Sequence, residues 1–542
     1  MNIVQRLELS RDGSVTVANL LDELLRRKRD CEVAVTEVGP YRLAELHADV
    51  CSMDAFLRRS VGLRPGQLVG IYRTNDRRCF HWFLAIIRAG GIAVPLNPQL
   101  SLAEVRRILG DSGTEILVTD KAVFQRSIAD RSALPVHTWI QADDEADTLD
   151  GFVRASVTGP SFPPIAVDPA ATVAIFHTSG TSGFPKGAVL SSNALLGARS
   201  STVLTGVLLG ASDLALIALP WSHIMAVSIA LYGLMAGIRG CFLDRFDVAS
   251  ALDLAERFRI TAFVGVPAMF ARLVDSNPDP ARLASVRVWL SASDHLPSEV
   301  RQRLRAYGAL LRLPGGWRIP PVLLNGYGMV ELGGLAMMGV ELSLLPGSGD
   351  LCFPVPPFHI RVVDEQGRPV PTGATGECQI RRRGLAPHYW KDEKGEAESS
   401  ALLTSDGWLR TGDLATRNRL GLIRLVGRIK DVIKSGGYSV YVRELEEAVL
   451  AHPAVARAVA FGLPHKEMHE IPAAAVELHS GAATSEQALM DFCRQQLAAY
   501  KSPRRIWIFA PGTLPQNHNG KLLRRVLREQ FSKETGSPAS GT

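Results

Sequence analysis

The sequence predicts an α/β fold. A large N-terminal domain of layered, mostly parallel sheets carries a small antiparallel β unit, and a small mobile α+β C-terminal domain follows. Three observations lead there. Short β-branched runs (LVGIYRT, IAVPL, EILVTD, then TAFVGV and VRVWLSA) alternate with helical patterns such as CFHWFLAIIRAGG. That alternation is the mark of parallel strands joined by helical crossovers. After about residue 347 the texture changes to strands joined by Gly/Pro turns, FHIRVVDEQGRPVPTGATGECQIRRRG, as in an antiparallel unit. Beyond Gly427 a charged RIKD precedes ELEEAVLAH, VARAVAFGL, ALMDFCRQQLAAY and RRIWIFA, which read as helix, strand, helix and strand of a separate unit. The expected boundaries are 1–428 for the large domain (about 348–428 being the β unit), 429–431 for a hinge, 432–530 for the C-terminal domain and 531–542 for a disordered tail.

The elements follow in order. In SLAEVRRILGDSG, Ser101 with Glu104 three residues on forms a capping box that starts a helix. Residues 214–238 carry no charge and are long enough to span a membrane, but Pro220, Ser222 and His223 interrupt them. A buried strand (LALIAL), a loop (PWSH) and a buried helix (IMAVSIALYGLMAGI) are expected there, and no membrane span.

Bulk properties bound the class. A chain of 542 residues exceeds one ordinary core. Its 46% apolar and 21% charged content is that of a globular protein. The net charge of +6 is mild over this length and suits anionic small ligands. No Lys/Arg run with interleaved aromatics supports nucleic-acid binding. Seven cysteines, an odd number without a C-x-x-C pair, speak against zinc ribbons and disulfide frameworks. They fit reduced thiols in the cytoplasm, and the N-terminal MNIVQRLELSRDG lacks the apolar core of a secretory signal.

The stretch FHTSGTSGFPKGAVL (176–190) lies between a strand (VAIF) and a helix (SSNALLGARSS). Thr178, Ser179, Gly180, Thr181, Ser182 and Gly183 offer hydroxyls and closely approachable backbone amides to an anion, and Lys186 adds a point charge. It is not a Walker A loop, because Lys186 follows Pro185 and precedes Gly187. A glycine-rich loop alone is more often a plain surface loop, so its companions decide. They are LPWSH (219–223), NGYGMVE (325–331), GWLRTGD (407–413), GRIKDVIKSGG (427–437) and LPQNHNGK (514–521), with AGGIAVPLNPQLS near residue 90. Six motifs in this order, over nearly the whole chain, resemble the adenylate-forming superfamily of acyl-CoA synthetases, carrier-loading adenylation domains and firefly-type luciferases.

The resemblance implies an acid–thiol ligase acting in two steps with ATP, Mg²⁺ and coenzyme A. A carboxylate attacks the α-phosphorus of ATP, giving acyl-adenylate and pyrophosphate, and a thiol then displaces AMP. Bringing two anions together requires cations and dipoles to offset their repulsion. By the resemblance, Lys521 bridges carboxylate and α-phosphate, residues 178–186 hold the β- and γ-phosphates, and Glu331 positions Mg²⁺. Asp413 accepts from the ribose hydroxyls and Arg428 supports the nucleotide. Asn325, Gly326, Tyr327, Gly328 and Val330 form the adenine motif. Lys430 is the hinge, while Lys434, Gly436 and Gly437 line the thiol tunnel. His223 is either a gate beside the acyl site or a hydrogen-bonded core histidine. Taken singly, Asp413 would read as a turn residue, and Arg428 and Lys521 as surface charges.

The sequence departs from the pattern in three places. Val330 stands where the motif has threonine, losing a hydroxyl that faces the α-phosphate. Such a hydrogen bond to a charged group is worth roughly 1.5–3 kcal/mol, or about ten- to a hundredfold in rate. SASDHLP (291–297) replaces a small-residue run like SGGAPL, and Ser191-Ser192-Asn193 replaces a region that often holds histidine. These departures raise the alternative of an adenylation-impaired enzyme that mainly thioesterifies a supplied acyl-adenylate. A ligase loading an acyl carrier protein, a luciferase-like oxygenase and a silent nucleotide-binding relative are further alternatives. After Glu331 comes LGGLAMMG, where Gly333 and Gly334 leave room and Met337 and Met338 adapt to shape. With no Lys or Arg in that stretch, the expected acid is bulky, apolar and monocarboxylic: aromatic, alicyclic or medium-chain.

Overall fold

The computed structural model describes the chain apart from residues 1–2, 29, 143–147, 156–160, 179–185, 342–347, 386, 391–401, 517–521 and 536–542. A seven-stranded sheet carries the first βα units. Ile116–Thr119, Leu68–Ile71, Ile92–Pro95 and Thr172–Thr178 lie parallel in that order. Ile92–Pro95 and Ile116–Thr119 are buried at every position, which is why they read as unbroken apolar runs. Thr172–Thr178 pairs antiparallel with Lys186–Ser191. The Ser101–Glu104 capping box forms as expected: the Ser101 hydroxyl accepts from Glu104 N–H, and the Glu104 carboxylate accepts from Ser101 N–H.

A thirteen-stranded sheet forms the second layer. Arg239–Phe242, Leu214–Ile217, Ala262–Gly265, Val288–Ala292 and Val322–Met329 make its parallel centre. The sheet then turns antiparallel through Gly334–Glu341, Cys352–Pro354, Ile423–Arg428, Leu409–Arg417, Thr375–Arg381 and His359–Val363. The turn-rich strands after residue 347 are thus continuous with the main sheet. The uncharged segment at 214–238 resolves into a strand, Leu214–Ile217, and a helix, Ile224–Ala236. Among the described residues no helix is long and apolar enough to cross a membrane.

A short 3₁₀ turn, Ile429–Asp431, leads into the C-terminal unit. There His469–Leu478 pairs with Val455–His465 on one side and with Ile433–Ser435 and Arg505–Phe509 besides. Helix Arg524–Thr535 closes over this sheet, which corrects the expected tail for residues 531–535, while the remainder, 536–542, lies outside the described residues. The polar SKETG flank hides one apolar anchor. Phe531 is buried, 3.9 Å from the Trp507 ring and 6.0 Å from that of Phe461. Phe531→Ala is therefore expected to destabilise the C-terminal unit by about 3–5 kcal/mol. Urea unfolding followed by tryptophan fluorescence checks this, and an unchanged midpoint would contradict the packing.

Candidate active site

The parallel strands of both large sheets end at one edge, where open α/β sheets place their ligands. A cleft of about 2840 Å³ opens there between the two domains. The residues after Leu214–Ile217, Ala262–Gly265, Val288–Ala292 and Val322–Met329 line it, as do Thr178 and Lys186 from the antiparallel hairpin.

Asp413 is the centre of one polar group in the cleft. Pairing of Leu409–Arg417 with Ile423–Arg428 sets it directly opposite Arg428, whose Nε lies 3.1 Å from Oδ1. The Tyr327 hydroxyl donates to Oδ2 at 2.5 Å. Burial, then the Asp413 charge, pushes the Tyr327 phenol well above its ordinary range, so it remains a donor at neutral pH. Asp413 N–H donates to Thr411 Oγ1 at 3.0 Å, and Thr411 in turn donates to the Cys378 carbonyl at 2.6 Å. Asp413 is buried while half of Arg428 meets solvent. Asn325 and Gly326 lie beside Ser291 and Ala292 on the neighbouring strand, and with Gly328 and Val330 they line the cleft.

A second group was not legible in the motifs. The Tyr389 hydroxyl donates to Glu331 Oε1 at 2.7 Å, and the Lys186 ammonium lies 5.5 Å from the centre of the Tyr389 ring. Tyr389 is fixed by a bridge to Ala188 and by Trp390 N–H donating to the Gly187 carbonyl at 2.7 Å. It thus joins two residues 145 positions apart (331 minus 186) into one cation–ring–carboxylate group. His177, next to Thr178, is pushed down to about 4 by burial and is neutral at pH 7. Among the described residues no cluster of three or more His, Cys, Asp or Glu could hold a metal unaided. A single buried carboxylate lining the cleft, that of Glu331, fits Mg²⁺, which binds through one or two carboxylates together with substrate phosphates.

His223 precedes helix Ile224–Ala236 and lines the cleft. Two expectations for the acyl side need correction. Gly333 does not open space for a ligand: a Cβ there would stand 2.2 Å from the Ala194 carbonyl, so its smallness serves backbone packing. At Gly334 a Cβ would stand 2.5 Å from the Ser228 hydroxyl, although the residue does border the cleft. Met337 is fully buried in the core, and only Met338 of the pair lines the cleft. The pleat separates the two side chains, which contiguous sequence had placed together.

The departing stretch at 291–297 has a structural partner. His295 Nε2 lies 3.1 Å from Glu447 Oε1, on helix Val442–Leu450 of the C-terminal unit. Arg443 on the same helix reaches Asp350 at 3.2 Å and donates to the Leu425 carbonyl at 2.6 Å. Lys430, and Gln516 and Leu522 on either side of 517–521, line the cleft. Lys434, Gly436 and Gly437 are exposed outside it, the two glycines at φ +55° and +83°. Ser179, Gly180, Thr181, Ser182, Gly183 and Lys521 lie outside the described residues.

Comparison with known proteins agrees with this architecture. Residues 23–390 match the family model of the AMP-binding enzyme, and residues 444–521 match that of the AMP-binding enzyme C-terminal domain. The chain belongs to the AMP-binding enzyme family. It is 29% identical over 486 residues to a long-chain-fatty-acid–CoA ligase of Thermus thermophilus, covering 88% of each chain. It is also 29% identical to a feruloyl-CoA synthase of an Amycolatopsis species, covering 87% of this chain and 90% of that one. Among solved structures, ATP-bound MatB from Rhodopseudomonas palustris superposes with a TM-score of 0.80 at 28% identity, covering 96% of this chain and all of that one (100%).

Tyr389→Phe keeps the ring under Lys186 but removes the donor to Glu331. It is expected to slow acid-dependent pyrophosphate release by roughly tenfold while leaving the KM for the thiol unchanged. Stopped-flow pyrophosphate detection reads the first quantity and steady-state kinetics the second. A wild-type rate of pyrophosphate release would remove Tyr389 from the site.

Proposed function

We propose that this ATP-dependent acid–thiol ligase activates a bulky apolar monocarboxylic acid as its acyl-adenylate and transfers the acyl group to coenzyme A. The observation that carries the choice of acid is a row of side chains on the cleft face of the main sheet. Ile217, Val264, Leu290 and Leu324 are register neighbours across four adjacent parallel strands, and all border the cleft. Met225 and Ile229 of helix Ile224–Ala236 border the same space. A second carboxylate set against this row would be desolvated without a partner, at a cost of several kcal/mol.

The proposed roles are as follows. The Lys186 ammonium, kept in place over Tyr389, and the amides of residues 178–186 hold the outer phosphates. Glu331 would hold Mg²⁺ through a carboxylate oxygen, and the ion would offset the charge of the phosphates. Asp413 accepts from the ribose hydroxyls, with Arg428 at its side, and Tyr327 and Asn325 flank the base. Lys521 stabilises charge as the acid oxygen attacks phosphorus and pyrophosphate leaves. Rotation of the C-terminal unit about Lys430 then exchanges Lys521 for the face of Lys434, Gly436 and Gly437. Those bare backbone positions admit a narrow thiol arm. All seven cysteines are free, which fits a reducing, cytoplasmic setting.

A panel of acids with ATP and coenzyme A, with acyl-AMP and acyl-CoA read separately by mass spectrometry, tests the proposal. Aromatic, alicyclic or medium-chain acids are expected to exceed acetate and malonate by at least about tenfold in kcat/KM, since each buried methylene contributes ten- to two-hundredfold. Preference for acetate or malonate contradicts the choice of acid. Turnover of preformed acyl-adenylate alone contradicts the first step, and faster transfer to a phosphopantetheinylated carrier protein contradicts the choice of thiol.

A further inference from the structure

Residues 311–319 belong to neither large sheet nor to the cleft. Leu311–Arg312 pairs antiparallel with Arg318–Ile319 as a separate two-stranded hairpin. Leu311 is 50% exposed, Leu313 45%, Trp317 77% and Ile319 38%. Four large apolar side chains within nine residues thus face water. The hairpin is nevertheless tied down. Leu310 N–H donates to the Ile319 carbonyl at 2.9 Å and Leu313 N–H to that of Trp317 at 2.8 Å. Arg312 donates to the Ala284 carbonyl at 3.0 Å, and Arg318 to those of Ala306 and Gly308 at 2.8 Å each. Apolar side chains held outward on a braced hairpin mark an interaction surface.

Charge indicates what covers it. From residue 300 to residue 330 the chain has five arginines and no Asp or Glu. Arg301, Arg303 and Arg305 are neutralised by Asp350, Asp275 and Glu341. Arg312 and Arg318, beside the apolar tip, meet only main-chain carbonyls among the described residues. A tryptophan and leucines flanked by uncompensated guanidinium groups match the boundary between anionic headgroups and acyl chains. A second copy of the chain fits less well. The patch offers roughly a few hundred Å², whereas a stable interface takes about 1,200–2,000 Å², and apposed copies would bring their arginines together.

We infer that the 311–319 hairpin is a docking surface for an anionic lipid bilayer, with Trp317 and Leu313 entering the interface and Arg312 and Arg318 facing lipid phosphates. This is independent of which acid the cleft takes, since no residue of the hairpin lines it. The experiment is co-sedimentation of the full chain with phosphatidylcholine vesicles, with and without phosphatidylglycerol, for wild type and for Trp317→Ser/Leu313→Ser. Wild type is expected to pellet with the phosphatidylglycerol vesicles, more weakly as salt is raised. The double variant should partition roughly tenfold more weakly or worse, the loss that two apolar anchors imply, with unchanged turnover of a water-soluble acid. Failure of wild type to pellet with anionic vesicles, or equal partition of the variant, overturns the inference. Concentration-dependent dimerisation that the variant abolishes in sedimentation velocity also overturns it, in favour of a second copy.

Discussion

The buried carboxylate of Asp413 is the constraint around which the site is arranged. Alone it would be costly to hold out of water. Here two partners from different strands satisfy it, the Tyr327 hydroxyl at 2.5 Å and Arg428 Nε at 3.1 Å. Tyr327 belongs to the strand where the main sheet changes from parallel to antiparallel. Arg428 is the last residue before the 3₁₀ turn that leads to the C-terminal unit. One carboxylate thereby ties strand Val322–Met329 to the start of the turn Ile429–Asp431. In the proposed reaction, a nucleotide that engages Asp413 also bears on the segment about which the small unit turns.

The Lys186–Glu331 group is built on the same plan, with a side chain distant in sequence, Tyr389, setting the position of charged ones. Lys186 has a long flexible stem, and a bare lysine at a hairpin edge would sample many rotamers. The Tyr389 ring limits that freedom, and the Tyr389 hydroxyl fixes one oxygen of Glu331. The Lys186 ammonium and the Glu331 carboxylate are thus set relative to each other through Tyr389. Such preorganisation is where electrostatic catalysis draws most of its effect. At the domain boundary, His295, Glu447, Arg443 and Asp350 form a polar seam. The seam gives SASDHLP, anomalous as an adenine-side motif, a place as an interdomain contact.

The layered α/β fold and the order of the site motifs could be read from the chain because both are local. Strand–helix alternation is a matter of periodicity, and each motif is contiguous. The Asp413–Arg428 pairing was within reach for the same reason, since both residues sit in motifs. Tyr389 was not, because it earns its role only through pairing with Ala188, about two hundred residues away. A run of sequence was taken as one surface: Met337 was misplaced because the pleat turns alternate side chains to opposite faces, and Gly333 because it ends the turn before that strand, against the Ala194 carbonyl. Phe531 was lost among polar neighbours, and its buried ring lies in a helix that runs from Arg524 on to Thr535. The antiparallel strands after residue 347 looked separate because turns break the pattern locally, whereas sheet continuity depends on distant pairing.

The most direct test of this account is calorimetric titration of AMP into the wild-type protein and into Asp413→Asn, which preserves shape and removes charge. Binding weaker by about ten- to a hundredfold is expected for the variant, the effect of losing hydrogen bonds to a charged acceptor. Equal affinity, with the variant folded, would mean that the ribose is held elsewhere and that the cluster of Tyr327, Asp413 and Arg428 is not the nucleotide's anchor.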